Sequence, residues 1–469
     1  MLMPVKVYFR RLNWQYSLEK EVLYMNPIVN LYLCTMIKNY LQNLGIAALN
    51  PMQEQSLMHL KPGASLTLIA PTGSGKTLAF LLPVIEMLKP ELSGVQALII
   101  TPSRELALQI EDVFKKMKTG IKVNVCYGGH PVKTEVNNFR EPAALVVGTP
   151  GRMADHIRRR NFDTTSVRTL VLDEFDKSLE LGFSKEMEYI AQNLPGIKTR
   201  VLTSATSLNE IPAYIGFNNP VLLDYTANTE PHKLDVVALK AEGADKLDLL
   251  FRLVCHFKAE PALIFCNHRD AVERISSLLM IKGIVHGVYH GGLEQEDREM
   301  SLIRFRNGTH QTLLTTDLGS RGLDIPEIRH VVHYQLPASE TIWTHRNGRT
   351  ARMHASGKAW LLLAEGDYIP KFITPAPEIS EIEDCAKLPE LPPWETIYLG
   401  AGKKQKVSKG DVAGLLIHKG GIQANDIGRI DVADHFSFAA VKRELCDKLV
   451  ATLRGVPLKK KVVKIDIAR

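Results

Sequence analysis

The chain has 469 residues, of which 45% are hydrophobic and 23% charged, with a net charge of +7. This length exceeds what one hydrophobic core usually serves, and the composition is that of a globular protein, which excludes collagen-like and disordered classes. No apolar stretch approaches the ~20 residues of a transmembrane helix. The six cysteines lack the spacing of a zinc site or disulfide framework. We expect two to four domains, no membrane partner and free thiols in the reducing cytoplasm.

The positive charge is concentrated at the C-terminus. Residues 396–469 contain 15 Lys and Arg against 7 Asp and Glu, a net charge of +8 that leaves −1 for the preceding 395 residues. A small basic module on a nearly neutral body is typical of polyanion binding. A merely solvated basic surface is the alternative.

Residues 1–24 carry scattered basic and aromatic side chains but no apolar core of the length that a signal peptide requires. Periodic sequence begins only after Met25-Asn26-Pro27. We expect residues 1–24 to be a mis-called start or a disordered segment, and Met25 to be the true start.

Two successive sets of apolar runs alternate with amphipathic helical patterns. The first set, within 25–228, is SLTLIA (65–70), VQALIITP (95–102), ALVVGTP (144–150), TLVLDE (169–174) and TRVLTSAT (199–206). The second, within 234–387, is PALIFCN (261–267), IVHGVYHGG (284–292), TLLTTD (312–317), HVVHYQLP (330–337) and GKAWLLLA (357–364). Such alternation predicts two α/β domains, each with a parallel sheet covered on both faces.

The end of the chain predicts a third unit. The Pro-rich and acidic composition before it indicates a linker at 388–395, with one short helix around 378–387. Residues 396–469 then alternate strand and helix patterns over about 75 residues, which favours a small α/β sandwich.

APTGSGKT (70–77) lies between an apolar strand and a helical pattern. A Gly-rich turn in this setting exposes successive backbone N–H groups that can hold phosphate oxygens. We expect Lys76 to reach the β- and γ-phosphates of ATP and the Thr77 hydroxyl to ligate Mg²⁺. The other predicted phosphate-binding residues of this loop are Pro71, Thr72, Gly73, Ser74 and Gly75.

The strand TLVLDE ends in two adjacent carboxylates. Asp173 is predicted to hold Mg²⁺ through water, and Glu174 to orient and deprotonate the attacking water. An acidic cluster at an exposed strand end is the alternative, but it would not predict the phosphate loop about a hundred residues earlier.

Eleven motifs occur in an order that resembles the DEAD-box RNA helicases, and the resemblance spans both α/β domains. They are NPMQ (50–53), APTGSGKT, TPSREL (101–106), YGG (127–129), TPGR (149–152), DEFD (173–176), SAT (204–206), FCN (265–267), QEDR (295–298), TTDLGSRGLD (315–324) and HRNGRTAR (345–352). The resemblance implies two RecA-like domains in tandem and an RNA-dependent ATPase.

The resemblance also assigns roles to individual residues. Gln53 is expected to read adenine, Asp324 to contact the ribose, and Arg349 and Arg352 to neutralise charge on the γ-phosphate. Hydrolysis is expected to be coupled to domain closure through Asp176, Ser204 and Thr206. RNA phosphates and 2′-hydroxyls are expected to contact Arg104, Gly129, Thr149, Arg152, Gln295, Arg298 and Thr316.

Two positions depart from the family pattern. Phe175 stands where the family has Ala. Since a strand alternates faces, we expect Phe175 to point away from Glu174 and to be accommodated by repacking, so that the site stays active. The aromatic residue that would stack on adenine falls near Ile28, with Tyr32 as the nearest candidate.

The C-terminal unit resembles the RNA-binding domain of the DbpA-like bacterial DEAD-box proteins. IYLG (397–400) and HFSFAAV (435–441) place Tyr398, Phe436 and Phe438 on strands, as in an RRM-like sheet that stacks bases, although the motif match is partial. The resemblance implies binding to a hairpin of 23S ribosomal RNA and to pre-50S particles. The predicted RNA contacts are Tyr398, Lys403, Lys404, Lys406 and Arg429.

Three functional hypotheses remain open at this point. The first is an RNA-dependent ATPase that remodels large-subunit ribosomal RNA during ribosome assembly. The second is a DNA helicase of the same superfamily, which the glutamine motif and the RNA-type tail disfavour. The third is an RNA-binding assembly factor that binds ATP with weak or no turnover. The sequence does not determine the oligomeric state.

Overall fold

The structure of the chain is a computed structural model. It describes residues 27–129, 132–141, 143–207, 210–217, 219–226, 234–258, 260–320, 328–348, 350, 357–383, 387–459 and 461–468, with side chains from residue 35 onward. The predictions for residues 1–24, for the side chains of Ile28 and Tyr32, and for Asp324, Arg349 and Arg352 lie outside these ranges.

The first domain is built on seven parallel strands in the spatial order β3-β4-β2-β5-β6-β1-β7. These strands are β1 (Ser65–Ile69), β2 (Ala97–Ile100), β3 (Val123–Cys126), β4 (Leu145–Gly148), β5 (Thr169–Leu172), β6 (Thr199–Ser204) and β7 (Val221–Asp224). The helices are Pro27–Leu44, Pro51–His59, Lys76–Met87, Arg104–Met117, Val132–Phe139, Pro150–Arg158, Phe175–Glu180 and Ser184–Gln192.

The second domain repeats this arrangement in the order β10-β11-β9-β12-β13-β8-β14, again parallel. Its strands are β8 (Leu234–Lys240), β9 (Ala262–Phe265), β10 (His286–Tyr289), β11 (Thr312–Thr315), β12 (His330–His333), β13 (Gly357–Leu363) and β14 (Ile379–Ser380). Its helices are Leu247–His256, Arg269–Ile281, Gln295–Arg306 and Glu340–Asn347. If the strands are numbered from one within each domain, both domains have the same strand order.

Helices cover both faces of each sheet. Ile99 belongs to one buried cluster with the helices Lys76–Met87 and Arg104–Met117, whereas its neighbour Leu98 belongs to another with Pro150–Arg158 and Ser184–Gln192. This alternation follows the two-residue period of a strand. The prediction of two parallel α/β domains is therefore confirmed.

The third unit is a four-stranded antiparallel sheet in the order β16-β17-β15-β20. Its strands are β15 (Trp394–Leu399), β16 (Ile427–Val432), β17 (Ser437–Lys442) and β20 (Ile465–Ile467), and Pro457–Leu458 with Lys461–Val462 form a separate hairpin, β18–β19. The helices Lys409–Gly414 and Arg443–Leu453 pack on one face of the sheet around Ile397, Leu399 and Leu449. The predicted α/β sandwich is confirmed.

The prediction of a short helix around 378–387 is wrong for the part of this segment that the structure describes. Ile379 and Ser380 form a strand that pairs in parallel with Ala238 and Leu239 of β8. The exposed edge of β8 offers backbone hydrogen bonds that this segment takes up, and such pairing outweighs a weak local helical preference. Among the described residues, no helix is both long and apolar enough to cross a membrane.

A polar contact joins the second domain to the third unit, and we call it the interdomain seam. The Asn307 amide donates to the Thr396 hydroxyl (3.1 Å), and the hydroxyls of Thr309 and Thr396 lie 2.7 Å apart. The guanidinium of Arg443 donates to the Thr309 carbonyl (2.8 Å) and pairs with Glu395. These contacts hold the third unit against the end of the helix Gln295–Arg306.

Candidate nucleotide and RNA site

The phosphate loop connects β1 to the helix Lys76–Met87. Gly75 precedes the helix with φ 91°, a left-handed conformation that favours glycine. A Cβ atom there would lie 2.6 Å from Nε2 of Gln53, so a side chain at this position would displace the Gln53 amide. The buried ammonium of Lys76 donates to the carbonyls of Ala70 (2.5 Å) and Pro71 (3.0 Å), which keeps it at the mouth of the loop.

Gln53 is tied to this loop by its own helix cap. Asn50 and Gln53 form a capping box at the helix Pro51–His59, with side chain to backbone bonds in both directions (2.9 and 3.0 Å). Nε2 of Gln53 donates to the Gly75 carbonyl (3.3 Å), and the Asn50 amide donates to that of Ser74 (3.0 Å). The predicted adenine-reading residue therefore sits against the loop that would hold the phosphates.

The two predicted catalytic carboxylates follow β5 and are buried. Oδ1 of Asp173 accepts a hydrogen bond from the Thr203 hydroxyl (2.5 Å), and the backbone N–H of Glu174 donates to the same hydroxyl (3.2 Å). Burial, followed by the negative charge of Glu174, raises the pKa of Asp173 to about 6, while Thr203 and Lys76 oppose the rise. The carboxylate is thus ionised at neutral pH but held at a free-energy cost.

The cleft presents the donor set that a Mg²⁺–triphosphate requires. Mg²⁺ prefers oxygen ligands, and the Thr77 hydroxyl and Asp173 carboxylate supply them. Oε2 of Glu174 and the hydroxyl of Thr72 are buried without a hydrogen-bond partner among the described residues. Buried polar atoms of this kind normally find partners, so these two suit a polar ligand in the cleft. The residues fit ATP with Mg²⁺.

Asp176 joins the two domains. Its Oδ2 accepts from the Thr206 hydroxyl (3.1 Å) of the SAT segment and lies 3.3 Å from Nε2 of His345, in the second domain. The Ser204 hydroxyl in turn accepts from the backbone N–H of Thr206 (3.1 Å). Burial by itself would raise the pKa of Asp176, but the hydrogen bonds and charge of its partners outweigh burial and leave it below its ordinary value. Asp176 therefore stays anionic at the domain interface.

Phe175 is fully buried in the core of the first domain, with Ile100, Leu172 and Met187. Its accommodation agrees with our expectation, but the reason that we gave is wrong. The strand has already ended at Leu172, and Phe175 is the first residue of a helix. The chain turns at Glu174, whose φ of 45° and ψ of 53° are left-handed, and this turn sends the ring into the core.

Two predicted RNA-binding arginines, one from each domain, lie close enough for their charges to interact. Burial lowers the pKa of Arg104, and the positive charge of Arg298 lowers it further. Nη1 of Arg104 and Nε of Arg298 are buried without a hydrogen-bond partner among the described residues. A Cβ on Gly129 would lie 2.6 Å from Nη1 of Arg104, so a side chain there would displace this guanidinium, and the left-handed φ of 96° itself favours glycine. Two like-charged neighbours with unpartnered nitrogens suit an anion such as a phosphate.

The remaining predicted RNA residues lie on the same edges of the two sheets. Thr149 precedes the helix Pro150–Arg158, and Arg152 pairs with Glu135 at 3.2 Å. Gln295 begins the helix Gln295–Arg306 and donates to Glu299 (2.7 Å), while Thr316 follows β11. Each of these positions lies at the carboxyl end of a parallel strand or at the start of the helix beyond it, where ligands usually bind in such sheets.

Arg349, Arg352 and Asp324 are outside the described residues, but a neighbour of the arginines is described. Gly348 lies against the phosphate loop, since a Cβ there would be 3.1 Å from Cβ of Thr72. The segment HRNGRTAR therefore approaches the phosphate loop at Gly348 and the DEFD segment at His345. This placement is compatible with the expected role of the arginines.

Four residues that organise the site were not predicted from the sequence. Thr203 bonds the carboxylate of Asp173 and the backbone N–H of Glu174, His345 contacts Asp176, Asn50 caps the helix that carries Gln53, and Glu135 holds Arg152. His345 and Asn50 stand inside motifs that we quoted, and Asn-x-x-Gln is a capping pattern, so both carried a readable signal. Thr203 and Glu135 carried none, because only the fold brings them to their partners.

The third unit offers fewer stacking rings than its sequence suggested. Tyr398 lies opposite Phe438, and the rings of Tyr398, Phe436 and Phe438 form a cluster with centroids 5.4–6.2 Å apart. Phe438 is only 1% exposed, which leaves Tyr398 and Phe436 partly accessible. Thr396, two residues before Tyr398 on the same face, already contacts the second domain.

The predicted basic contacts of this unit are exposed. Lys403, Lys404 and Lys406 lie on the loop after β15, with the ammonium of Lys404 3.1 Å from Nε2 of His435. Arg429 lies on β16 and donates to Asp431 (2.9 Å). The lysine loop is therefore a solvent-facing positive surface at the end of the sheet.

Comparison with known families covers all three parts of the chain. Residues 50–211 match the DEAD/DEAH box helicase family, residues 245–354 match the helicase conserved C-terminal domain, and residues 396–467 match the DbpA RNA binding domain. The chain is similar to the ATP-dependent RNA helicase DbpA of Escherichia coli K12, with 29% identity over 445 residues that cover 92% of this chain and 96% of that protein.

Further relatives agree. The ATP-dependent RNA helicase CshA of Limosilactobacillus reuteri is 31% identical over 409 residues, covering 85% of this chain and 77% of that protein. The structure of S. cerevisiae Dbp5 bound to RNA and ADP BeF3 covers 77% of this chain and 95% of its own, with a TM-score of 0.66 and 26% identity. The chain belongs to the DEAD/DEAH box family of ATP-dependent RNA helicases and has a DbpA RNA binding domain at its C-terminus.

Proposed function

We propose that this helicase locally unwinds or remodels 23S ribosomal RNA in pre-50S particles during assembly of the large ribosomal subunit. The observation that carries the proposal is the combination of a nucleotide cleft between two RecA-like domains with a C-terminal match to the DbpA RNA binding domain. The four described free and buried cysteines support a reducing, cytoplasmic location.

The chemistry is assigned to the residues around the cleft. Mg²⁺, held by Thr77 and Asp173, would neutralise phosphate charge. Lys76 binds the β- and γ-phosphates, Gln53 reads adenine, and Glu174 orients and deprotonates the attacking water. Oε2 of Glu174 suits this role because it is buried and lacks a partner in the described structure.

Coupling to RNA is assigned to the domain interface. ATP and RNA together close the two domains, with Asp176 contacting both Thr206 and His345. Arg104 and Arg298 then hold the backbone of one strand, which bends it and separates a short duplex. Since these residues reach phosphates and not base edges, the two-domain core does not select sequence. Selection is assigned to the C-terminal domain.

The deciding measurement is the steady-state ATPase rate with a 23S rRNA hairpin fragment and with an unrelated RNA of equal length. We expect strong stimulation by the fragment alone, and a fall of at least ~10²-fold in Glu174→Gln, the usual size of a general-base contribution. Equal stimulation by both RNAs would remove the rRNA assignment. A rate that Glu174→Gln leaves unchanged would favour the alternative, an ATP-binding assembly factor without turnover.

The lysine loop provides a second test of the rRNA assignment. Lys403→Ala should weaken binding of the hairpin fragment and lower the slope of log K against log salt by about 1, as expected for one lost phosphate contact. Lys371→Ala, at an exposed lysine of the second domain, is the matched control. An unchanged slope in Lys403→Ala would remove this residue from the RNA surface.

A further inference from the structure

Glu135 is a buried carboxylate at which two proposed RNA-binding segments converge. It lies on the helix Val132–Phe139 and is 1% exposed. Its Oε1 accepts from the backbone N–H of Tyr127 in the YGG segment (2.9 Å). Its Oε2 accepts from Nη1 of Arg152 in the TPGR segment (3.2 Å). One side chain therefore ties together two loops that are separate in sequence.

His156 completes this arrangement from behind. Its Nε2 lies 2.6 Å from Oε2 of Glu135, and its Nδ1 lies 2.8 Å from the amide nitrogen of Asn161. Because an amide nitrogen only donates, Nδ1 accepts and the ring proton is on Nε2, directed at Glu135. The ring of Phe139 packs edge-on against His156 with centroids 5.1 Å apart, which fixes the imidazole plane. His156 is fully buried, so it cannot itself reach RNA.

The same cluster has the donor set of a metal site, since ligand atoms of Cys126, Glu135 and His156 lie within 4.8 Å of one another. The hydrogen bonds of this cluster indicate a different role. Both oxygens of Glu135 already accept hydrogen bonds, and the cationic Arg152 lies beside them. Burial, followed by the charge of Glu135, raises the pKa of Cys126, so its sulfur is a neutral thiol and not the thiolate that binds metals.

We propose that Glu135, oriented by His156, is a positioning residue that sets the guanidinium of Arg152 and the YGG loop for contact with an RNA phosphate. This inference rests on the proposed RNA-binding role of Arg152. A carboxylate holds a guanidinium at fixed orientation through a charge-assisted hydrogen bond, and a guanidinium held in this way presents its planar fork to an anion in one direction. Glu135 itself contacts no RNA.

The test is a double-mutant cycle of Glu135→Gln and Arg152→Ala. Glutamine keeps the acceptor for the Tyr127 N–H, but the amide nitrogen opposite Arg152 and His156 can only donate, so the orientation is lost. We measure the RNA concentration for half-maximal ATPase, and the anisotropy of a labelled single-stranded RNA with a non-hydrolysable ATP analogue. Glu135→Gln should raise the half-saturating RNA concentration about 10-fold, the size of one hydrogen bond to a charged group, without a matching fall in the RNA-saturated rate.

The double variant should bind RNA no worse than Arg152→Ala alone, because Glu135 acts through Arg152. Multiplicative effects of the two changes would overturn the inference, as would a Glu135→Gln variant with wild-type RNA affinity. If Arg152→Ala itself has no effect, the proposed RNA contact of Arg152 fails instead. Glu141→Gln, the same change at an exposed glutamate that pairs with Lys122, should stay within about two-fold of wild type.

Asn161→Ala is a second variant that tests the same inference if Glu135→Gln does not fold. It removes the donor to Nδ1 of His156 at a half-buried position, so the imidazole loses its fixed orientation while the Glu135 carboxylate stays. We expect a rise of about two- to five-fold in half-saturating RNA that disappears in the Arg152→Ala background. A rise that persists in that background would mean that this network acts on folding and not on Arg152.

Discussion

Asp173 is buried beside Glu174, and its pKa is raised to about 6. A carboxyl whose pKa rises on folding lowers stability as pH increases from its unfolded value near 4 towards 6. Above that pH the full penalty is present, because the folded state must hold the charged form. The residue that is proposed to hold Mg²⁺ therefore destabilises the fold that positions it.

We predict that Asp173→Asn raises the stability of the nucleotide-free protein at pH 7.5 while it abolishes ATPase activity. The gain should reach at most ~3 kcal/mol, the equivalent of about two pKa units, and should shrink to zero below about pH 4. Urea denaturation at several pH values measures it. Asp112→Asn, at an exposed aspartate paired with Lys116, should show no such pH-dependent gain. A destabilised Asp173→Asn at neutral pH would contradict the expectation.

Phe175 fills space in the core of the first domain, although the family has Ala at this position. Phe175→Ala should therefore lower the free energy of unfolding by about 3–5 kcal/mol, because it leaves a cavity among Ile100, Leu172 and Met187. It should not raise ATPase activity, since Asp176 already contacts Thr206 and His345 in the presence of the ring. Denaturant titration and RNA-stimulated ATPase together check both statements, and a faster, equally stable variant would refute them.

At the scale of elements, the helix Glu340–Asn347 contacts the first domain through the side chain of His345. His345 is fully buried and lies 3.3 Å from Asp176. We predict that His345→Ala lowers RNA-stimulated ATPase by about 10-fold or more, because closure loses a hydrogen bond to a charged group and leaves Asp176 less well paired. Affinity for ATP in the absence of RNA should change little. His59→Ala, at an exposed histidine of the first domain, is the control.

Strands with strongly apolar runs could be predicted from sequence, and those without could not. Nine of the ten runs quoted became largely buried interior strands, because a parallel sheet covered on both faces needs uninterrupted apolar sequence; the tenth, 284–292, became β10, an edge strand with alternating buried and half-buried residues. β3 alternates buried and half-buried residues, and β7 and β14 lie at sheet edges with exposed side chains. Their pairing depends on the neighbouring strand and not on their own composition.

The same division applies to the site. Residues of a linear motif, such as Lys76 and Glu174, could be placed from sequence at the phosphate loop and the strand end, because the loop or strand end that carries them positions them directly; their catalytic roles stay predictions. The orientation of Phe175 was argued from strand periodicity, yet it depends on one left-handed residue, Glu174. Partners such as Thr203 and Glu135 come from distant segments and required the fold.

At the scale of the whole molecule, the interdomain seam makes the second domain and the C-terminal domain neighbours with fixed contacts. Thr309 and Thr396 are almost fully buried there, and Arg443 bonds to both sides. RNA held by the C-terminal domain would consequently reach the helicase cleft from a defined direction. A flexible tether would give no such direction.

We predict that Arg443→Ala loosens this contact by about 2–4 kcal/mol, because it removes several charge-assisted hydrogen bonds and leaves Glu395 buried without its partner. Small-angle scattering should show an increased radius of gyration, and stimulation by the rRNA fragment should fall towards that by unrelated RNA. Arg454→Ala, at an exposed arginine of the same domain, should change neither quantity. A compact Arg443→Ala variant would show that other contacts suffice.

The pair of Arg104 and Arg298 has a consequence for ionic strength. Without a polyanion, the charges of Arg104 and Arg298 repel each other, Glu105 and Glu299 offset part of this repulsion, and added salt screens what remains. With RNA bound, the same salt competes for the phosphates and weakens binding. The RNA-free ATPase should therefore rise with salt over the range in which the RNA-stimulated ATPase falls. Salt therefore has opposite effects on the ATPase rate in the RNA-free and RNA-bound states. The salt concentration at which the two rates become equal is the concentration above which RNA no longer stimulates hydrolysis.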